Sequence, residues 1–269
     1  MGVHHYENFP VASLALPARF RRPVALIYRF AREADDIADE GDASAASRLA
    51  DLGRYGRSLD AIAAGGAPEI AWFAELAPVI RAYSLPLPLF HDLLSAFAQD
   101  VSRTRYDCFE DVLDYCRRSA NPVGRLLLAL YGADTGENRR CSDAICTALQ
   151  LINFLQDVEI DYGKGRIYLA LDELAAAGLS PDDIAARRSD RAWSRFMRGQ
   201  VERARALLVS GAPLGRAMPG RLGFEMRMIV AGGARILEHI DAAGGDVFRH
   251  RPVLKWRDWP TIVLRAITK

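Results

Sequence analysis

Arg29-Phe30-Ala31-Arg32-Glu33-Ala34-Asp35-Asp36-Ile37-Ala38-Asp39 and Gln150-Leu151-Ile152-Asn153-Phe154-Leu155-Gln156-Asp157-Val158-Glu159-Ile160-Asp161 are the two stretches that decide the fold. Each places two Asp at i and i+4, as neighbours on a helix surface. Like charges at that spacing repel, so neither pair is there to support its helix. Working outward, Tyr28, Arg32, Asp35 and Asp39 are spaced 4, 3, 4, and Gln150, Asn153, Asp157 and Asp161 are spaced 3, 4, 4. Both sets form a narrow polar stripe on a mostly apolar cylinder, whereas a surface helix has a polar outer face. Such helices are expected to be buried, with their carboxylates lining an internal cavity. Buried charges need partners or a metal. Hard oxygen donors gathered in this way suit Mg²⁺, which shares its coordination with substrate phosphates. Two such helices are expected to face each other across a diphosphate. The alternative, ordinary ion pairs with nearby Arg, is set aside because the stripe recurs.

The rest of the chain reads as helix after helix. Apolar residues recur at spacings of three and four, and period-two alternation is missing. Breakers fall at Gly65 to Pro68, Pro86 to Pro88, Gly132 to Gly136, Gly163 to Gly165, Gly178 to Pro181, Gly211 to Pro219 and Gly244-Gly245. Ser180-Pro181-Asp182-Asp183 is a helix start. No long linker and no internal repeat divide the 269 residues. The expectation is one all-α domain over 1–269, with about ten helices. Asn121-Pro122 predicts a break or kink, and Ala120 and Gly124 are expected to make room there for a ligand.

Composition narrows the function classes. A net charge of +1 does not advertise nucleic acid as a partner. Cys108, Cys116, Cys141 and Cys146 form no C-x-x-C and read as free thiols. The first residues, MGVHHYENFP, lack a basic-then-apolar pattern, and Tyr6 stands where a myristoylation site wants Ser or Thr. No apolar run is long enough to span a bilayer. The expected location is the cytoplasm, at most peripheral to a membrane. The C-terminal stretch mixes Arg249, Arg251, Lys255 and Arg257 with Trp256 and Trp259. Basic, Trp-rich ends can sit at a bilayer interface, but packing onto the body is the simpler reading. Gly232-Gly233, inside a helix that is apolar most of the way round, are expected to admit a neighbouring helix.

The chain resembles the squalene/phytoene synthase family, and within it the hydroxysqualene synthases of bacterial hopanoid pathways. The residues that carry the resemblance are His5 to Ser13 (HYENFPVAS), Ala34 to Asp42 (ADDIADEGD), Tyr115 to Arg125 (YCRRSANPVGR) and Asn153 to Asp157 (NFLQD). The Ser-Ala-Asn-Pro-Val-Gly stretch stands where presqualene diphosphate and phytoene synthases usually carry a Val-Ala-Gly type of sequence. That departure favours the narrower likeness.

The resemblance implies an isoprenoid-synthase helical bundle with a central hydrophobic cavity, and a Mg²⁺ cluster holding a prenyl diphosphate substrate. It implies that Asp35, Asp36 and Asp39 form one motif and Asp157 and Asp161 the other, with Asp35, Asp39, Asn153, Asp157 and Asp161 as metal ligands. Tyr28, Arg32, Gln150, Asn153, Tyr115, Arg166 and Tyr168 match positions near the diphosphate. His5, Phe9 and Ser13 match the segment that closes over it. Partner enzymes of squalene synthesis are implied too. Gln156 departs from the Arg that relatives carry before the second motif, so one positive charge is either missing or supplied from elsewhere, with Lys164 the candidate. Ala170 departs from a frequent Pro and reads as a loop detail.

The implied reaction is conversion of presqualene diphosphate to hydroxysqualene. Arg32 and Arg166 would hold phosphate oxygens. Phe30, Leu127, Leu151, Ile152 and Phe154 would wall a dry cavity for the cation. Tyr115, Ser119 and Asn121 would control the entry of one water. The nearest rival is condensation of two farnesyl diphosphates to presqualene diphosphate, followed by a phytoene-type condensation. A non-catalytic scaffold for a partner synthase would not need to keep every repelling Asp.

Overall fold

The structure is a computed structural model and describes residues 16–249 and 251–268. Among these residues there are fourteen α-helices, one 3-10 turn and no strand. The count of about ten falls short by four short helices: α8 (Val158–Gly163), α9 (Leu171–Ala176), α12 (Leu214–Ala217) and α10 (Pro181–Ala185), the last at the helix start read from Ser180-Pro181. Elements this short bury one residue or two each and leave little periodicity to read. The expected breakers all fall at helix ends or between helices, and the Gly211 to Pro219 stretch also holds α12. Gly132 ends α6 (Asn121–Tyr131) in the left-handed conformation at φ 66°, and Ser180 closes a capping box with Asp183 at the start of α10.

Helix α1 (Ala18–Asp39) begins one turn earlier than its Arg22-Pro23 dipeptide suggests, with Pro23 buried inside it. Phe20, Ile27, Phe30, Ala34 and Ala38 form its core face. Phe30 packs edge-on against Phe73 and Phe90 and tilts against Tyr55. These come from α3 (Phe73–Ala82), α4 (Leu87–Asp100) and α2 (Ala45–Ala63). Phe30 therefore belongs to the α1–α4 core, which corrects its expected place in a cavity wall.

The other half of the fold is centred on α7 (Gly136–Gln156), buried on more than one side by Ile145, Ala148, Leu151, Ile152, Phe154 and Leu155. It packs on α5 (Phe109–Ser119), α6, α11 (Arg191–Gly211) and α13 (Gly220–Ala242). A Cβ on Gly211 would lie 2.5 Å from the Cys141 carbonyl oxygen, so the α11–α7 approach depends on that glycine. A Cβ on Gly233 would meet Leu149, Leu208 and Ile152 at 3.1–3.3 Å, in line with the expected close helix approach. Solvent partly reaches every residue from Phe224 to Val230. Met226, Met228, Ile229 and Val230 in this stretch pack against the core.

The Asn121-Pro122 break is present: α5 ends at Ser119 and α6 starts at Asn121. The space at Gly124 is taken by α7, however. A Cβ there would lie 2.3 Å from Ser142 Oγ and 2.6 Å from Cys146 Sγ. Gly124 is thus a helix-packing residue, not room for a ligand. All four cysteines are free thiols.

Candidate active site

Three helix ends and one loop build the site. The C-terminal end of α1 brings Asp35, Asp36 and Asp39. The α7–α8 junction brings Asp157 and Asp161. The C-terminal end of α4 brings Asp100. The loop 164–170 runs alongside 104–107, tied by Ile167 N–H to Thr104 O at 3.0 Å and Leu171 N–H to Tyr106 O at 3.0 Å. That tie sets Lys164, Arg166 and Tyr168 against the acids.

The second acidic stripe does not lie on one continuous helix. Asp157 takes φ −106° and ψ 12°, ending α7 and opening α8. The turn persists through the bend, because Asp157 N–H reaches Asn153 O at 2.9 Å and Asp161 N–H reaches Asp157 O at 2.8 Å. Nor are the stripes sealed from water. The Asp35 and Asp36 side chains are 38% accessible, and Asn153 is exposed. The carboxylates border a cleft, which corrects the expectation of fully buried ones.

The ion pairing set aside on sequence grounds is present. Arg32 contacts Asp35 at 3.5 Å and Asp36 at 2.9 Å. Asp39 takes Arg166 at 2.6 Å and Lys164 at 3.3 Å, so the loop after α8 joins the two motifs. Asp157 is held bidentately by Arg251, one of the two contacts being 3.0 Å. The Arg251–Asp157 pair answers the question raised by Gln156. Gln156 is buried and donates to Pro252 O at 2.5 Å, while the charge beside the second motif comes from Arg251. Lys164 serves Asp39 instead.

Two carboxylates, one per motif, are under-compensated. Asp35 is surrounded mostly by protein despite its accessible edge, and desolvation followed by repulsion from Asp39 pushes its pKa up to about 7. Desolvation followed by repulsion from Asp157 pushes Asp161 up to about 8. Asp39 also raises Asp161, so the motifs act on each other across the cleft. Oxygen donors short of positive charge fit a hard divalent cation. Among the described residues no three Asp, Glu, His or Cys converge as a ready-made centre, so any ion here would draw ligands from substrate and water.

Behind the acids lies a ring cluster. Phe154 stacks on Tyr168 with centroids 4.1 Å apart and planes at 3°. Tyr115 and Tyr106 each lie 5.5 Å from Tyr168. The Tyr115 hydroxyl donates to Asp100 Oδ2 at 2.5 Å and the Tyr168 hydroxyl to Asp100 Oδ1 at 2.9 Å, while Arg166 donates to the Asp100 carbonyl at 3.1 Å. Burial lifts Asp100 to about 6, opposed by the hydrogen bond from Tyr115, and burial followed by Asp100 lifts Tyr115 well above the ordinary phenol range.

Asp100 and Arg251 are the site residues that sequence reasoning missed. Asp100 carried a signal. It continues the apolar stripe Leu89, Leu93, Ala96, Phe97, and it puts an acid at a helix C-terminus, where the dipole disfavours one. Arg251 carried none, since its partner is 94 residues away.

Other expected residues are placed less centrally. Tyr28 is half-buried on α1, one turn before Arg32, and Gln150 is half-buried on α7. Asn121 is buried and accepts from Thr147 Oγ1 at 3.0 Å, so it ties α6 to α7. Ser119 Oγ is buried and has no hydrogen-bond partner. His5, Phe9 and Ser13 lie outside the described residues.

The profile of the family described as squalene/phytoene synthase matches residues 3–259. The chain belongs to the squalene/phytoene synthase family. It is 36% identical over 236 residues to the hydroxysqualene synthase of Rhodopseudomonas palustris, covering 87% of this chain and 79% of that protein. It is 30% identical over 276 residues to the 15-cis-phytoene synthase of Synechococcus elongatus, covering 97% and 89%. The solved structure of squalene synthase HpnC from Alicyclobacillus acidocaldarius superposes with a TM-score of 0.82 at 38% identity, covering 89% of this chain and 90% of that one. The fold of this squalene/phytoene synthase family member is the isoprenoid-synthase helical bundle, and the family implies a prenyl diphosphate substrate.

Proposed function

We propose that this chain, as one domain over 1–269, converts presqualene diphosphate and water to hydroxysqualene and diphosphate, in squalene and hopanoid synthesis. The observation that carries the chemistry is the under-compensated pair Asp35 and Asp161, one from each motif, beside a ring-lined interior. The choice of substrate is supported by the likeness to a protein named hydroxysqualene synthase over 87% of the chain.

Asp35, Asp39, Asn153, Asp157 and Asp161 would hold Mg²⁺, which when bound supplies Lewis-acid stabilisation of the leaving diphosphate. Arg32, Arg166, Lys164 and Arg251, each paired with a motif carboxylate, would meet phosphate oxygens once released from it. The C–O bond to diphosphate breaks, and its electron pair stays on the diphosphate oxygen. The cyclopropylcarbinyl cation opens against the ring cluster and the apolar wall of Leu151 and Ile152. A water oxygen then adds, and its surplus proton leaves to solvent or to diphosphate. Tyr115 orients that end of the cleft. No electron transfer occurs, so no nicotinamide is consumed.

Among the described residues no helix is long and apolar enough to cross a membrane. The C-terminal segment packs on the body as expected, through Leu254, Asp258, Ile262 and Ala266, while Trp256 is 76% exposed. In α14 (Trp259–Thr268) Ile262 and Ala266 pack inward, while Leu264 and Ile267 face out. With Lys255 and Arg257 beside them, these residues would rest the cytoplasmic enzyme on an anionic bilayer, the source and sink of its water-insoluble lipids. Upstream partner enzymes would work at the same surface.

Incubating presqualene diphosphate with enzyme and Mg²⁺ in ¹⁸O-water, without NADPH, should give labelled hydroxysqualene and diphosphate. The second reading, supported by the likeness to a phytoene synthase, is condensation of two prenyl diphosphates. It wins if farnesyl diphosphate is consumed and added presqualene diphosphate is left untouched.

A further inference from the structure

Helix α1 ends on Asp35, Asp36 and Asp39, with Glu40 next in the chain, and its last turn holds no basic residue. This is an unfavourable way to end a helix. The acids repel one another, and the carbonyl end of the helix dipole repels them all. Arg32 answers the side chains, at Asp35, Asp36 and Glu40. The backbone is answered from α2. Arg48, half-buried on the first turn of α2, donates Nη1 to Ile37 O at 2.8 Å, Nη2 to Gly41 O at 2.6 Å and Nε to Ala43 O at 3.0 Å. Each guanidinium nitrogen thus goes to a carbonyl.

The fork is placed for a use. Ile37 stands between Asp35 and Asp39, and its carbonyl belongs to the group that a helix end leaves without an intrahelical donor. Gly41, in the left-handed region at φ 76°, and Ala43 form the turn that leads into α2. One side chain therefore ties the last turn of α1, the connecting turn and the start of α2. The consequence falls on Asp39. Its carboxylate is held from the far motif by Arg166 at 2.6 Å and Lys164 at 3.3 Å. Those ties are lost when Asp39 turns to a cation. The Arg48 bonds, made to backbone alone, are not.

We propose that Arg48 is a positioning residue for the first acidic motif: by bracing the carbonyls of Ile37, Gly41 and Ala43 it keeps the last turn of α1 wound and holds Asp35 and Asp39 in place for the metal. The metal is that of the proposed function, on which this part rests, and the brace itself is read without it.

Backbone hydrogen exchange reads the brace in metal-free protein. The Glu40 amide, bonded to Asp36 O at 2.8 Å, closes the last turn. Arg48→Gln should speed its exchange about tenfold, the scale of losing hydrogen bonds from a charged donor, and leave the α7 amides of Leu151 and Ile152 unchanged. Calorimetric titration of Mg²⁺, with inorganic diphosphate present, should show affinity about tenfold weaker in the same variant, as for a lost residue behind metal ligands. Gly211→Ala, in the α11–α7 contact, controls for stability lost elsewhere and should move neither reading. Glu40 exchange or Mg²⁺ affinity left unchanged in Arg48→Gln would overturn the proposal, as would an affinity that falls equally in Gly211→Ala. Full rescue by Arg48→Lys, which keeps the charge without the planar fork, would overturn it too. If Arg48→Gln does not fold by circular dichroism, Arg48→Lys is judged by the same two readings. Wild type that binds no Mg²⁺ while the exchange difference holds would remove the metal from the proposed function and leave the brace standing.

Discussion

Arg251 clasps Asp157 at the residue where α7 gives way to α8, so the C-terminal segment reaches back to hold the bend in the second acidic motif. The pair is the local counter-charge of that motif, and Gln156, next to it in sequence, faces elsewhere. Arg251→Gln should raise KM for the diphosphate substrate several-fold and lower kcat less. Gln156→Arg should not compensate. It would force a guanidinium into the site of a side chain that is 2% exposed, costing about 3 kcal/mol. Thermal unfolding and steady-state kinetics on the two variants and their combination check this; a rescued double variant would show that the charge positions are interchangeable.

The acidic motifs should matter to turnover and little to folding. Asp35→Asn, Asp39→Asn, Asp157→Asn and Asp161→Asn should each cost two orders of magnitude or more in kcat, about 3 kcal/mol of barrier, with helical circular dichroism unchanged. Activity should vanish in excess chelator and return with Mg²⁺. Full activity in chelator would remove the metal from the reading.

Stability should fall as pH rises between about 4 and 8. The folded-state pKa values of Asp35 and Asp161 lie near 7 and 8, above their ordinary value of 3.8, so the folded protein holds more protons than the unfolded chain in that window. The contribution is complete below the unfolded value and is lost as pH passes the folded ones, even with Arg32, Lys164 and Arg166 nearby. Melting at pH 6 and pH 8.5 should differ less in Asp35→Asn/Asp161→Asn than in wild type. Mg²⁺ should stabilise wild type more at pH 8.5, where it need not displace protons.

Gly211→Ala should destabilise by about 1–3 kcal/mol, because the new Cβ meets the Cys141 carbonyl and the Ile145 backbone nitrogen, neither of which can swing aside. Denaturant unfolding reads this directly.

Binding to anionic vesicles should weaken with salt and with Trp256→Ala/Trp259→Ala, since surface charge is screened over about 8–10 Å at ordinary ionic strength. Vesicle flotation indifferent to both changes would leave the exposed Trp256 without this role.

Much of the architecture was legible because helical periodicity and Gly/Pro punctuation are local. Every breaker from Gly65 to Gly245 marks a real joint. Asp35, Asp39 and Asp161 could be singled out because repelling acids at i and i+4 need a reason. What could not be read was tertiary approach. The room beside Gly124 belongs to α7, Phe30 faces the α1–α4 core, and Arg251 finds Asp157 across most of the second half of the fold. Asp100 falls between these cases: its position on an apolar stripe was visible, but the two phenols that give it meaning were not.

Lys164 and Arg166 occupy Asp39 from the far motif. A divalent cation that takes this carboxylate must evict them, and the evicted groups suit phosphate. One exchange would thus arm both sides of the cleft, giving metal and diphosphate reciprocal, mutually reinforcing affinities. Neither would load well alone, and a hydrocarbon arriving without its diphosphate would find the two motifs still tied together.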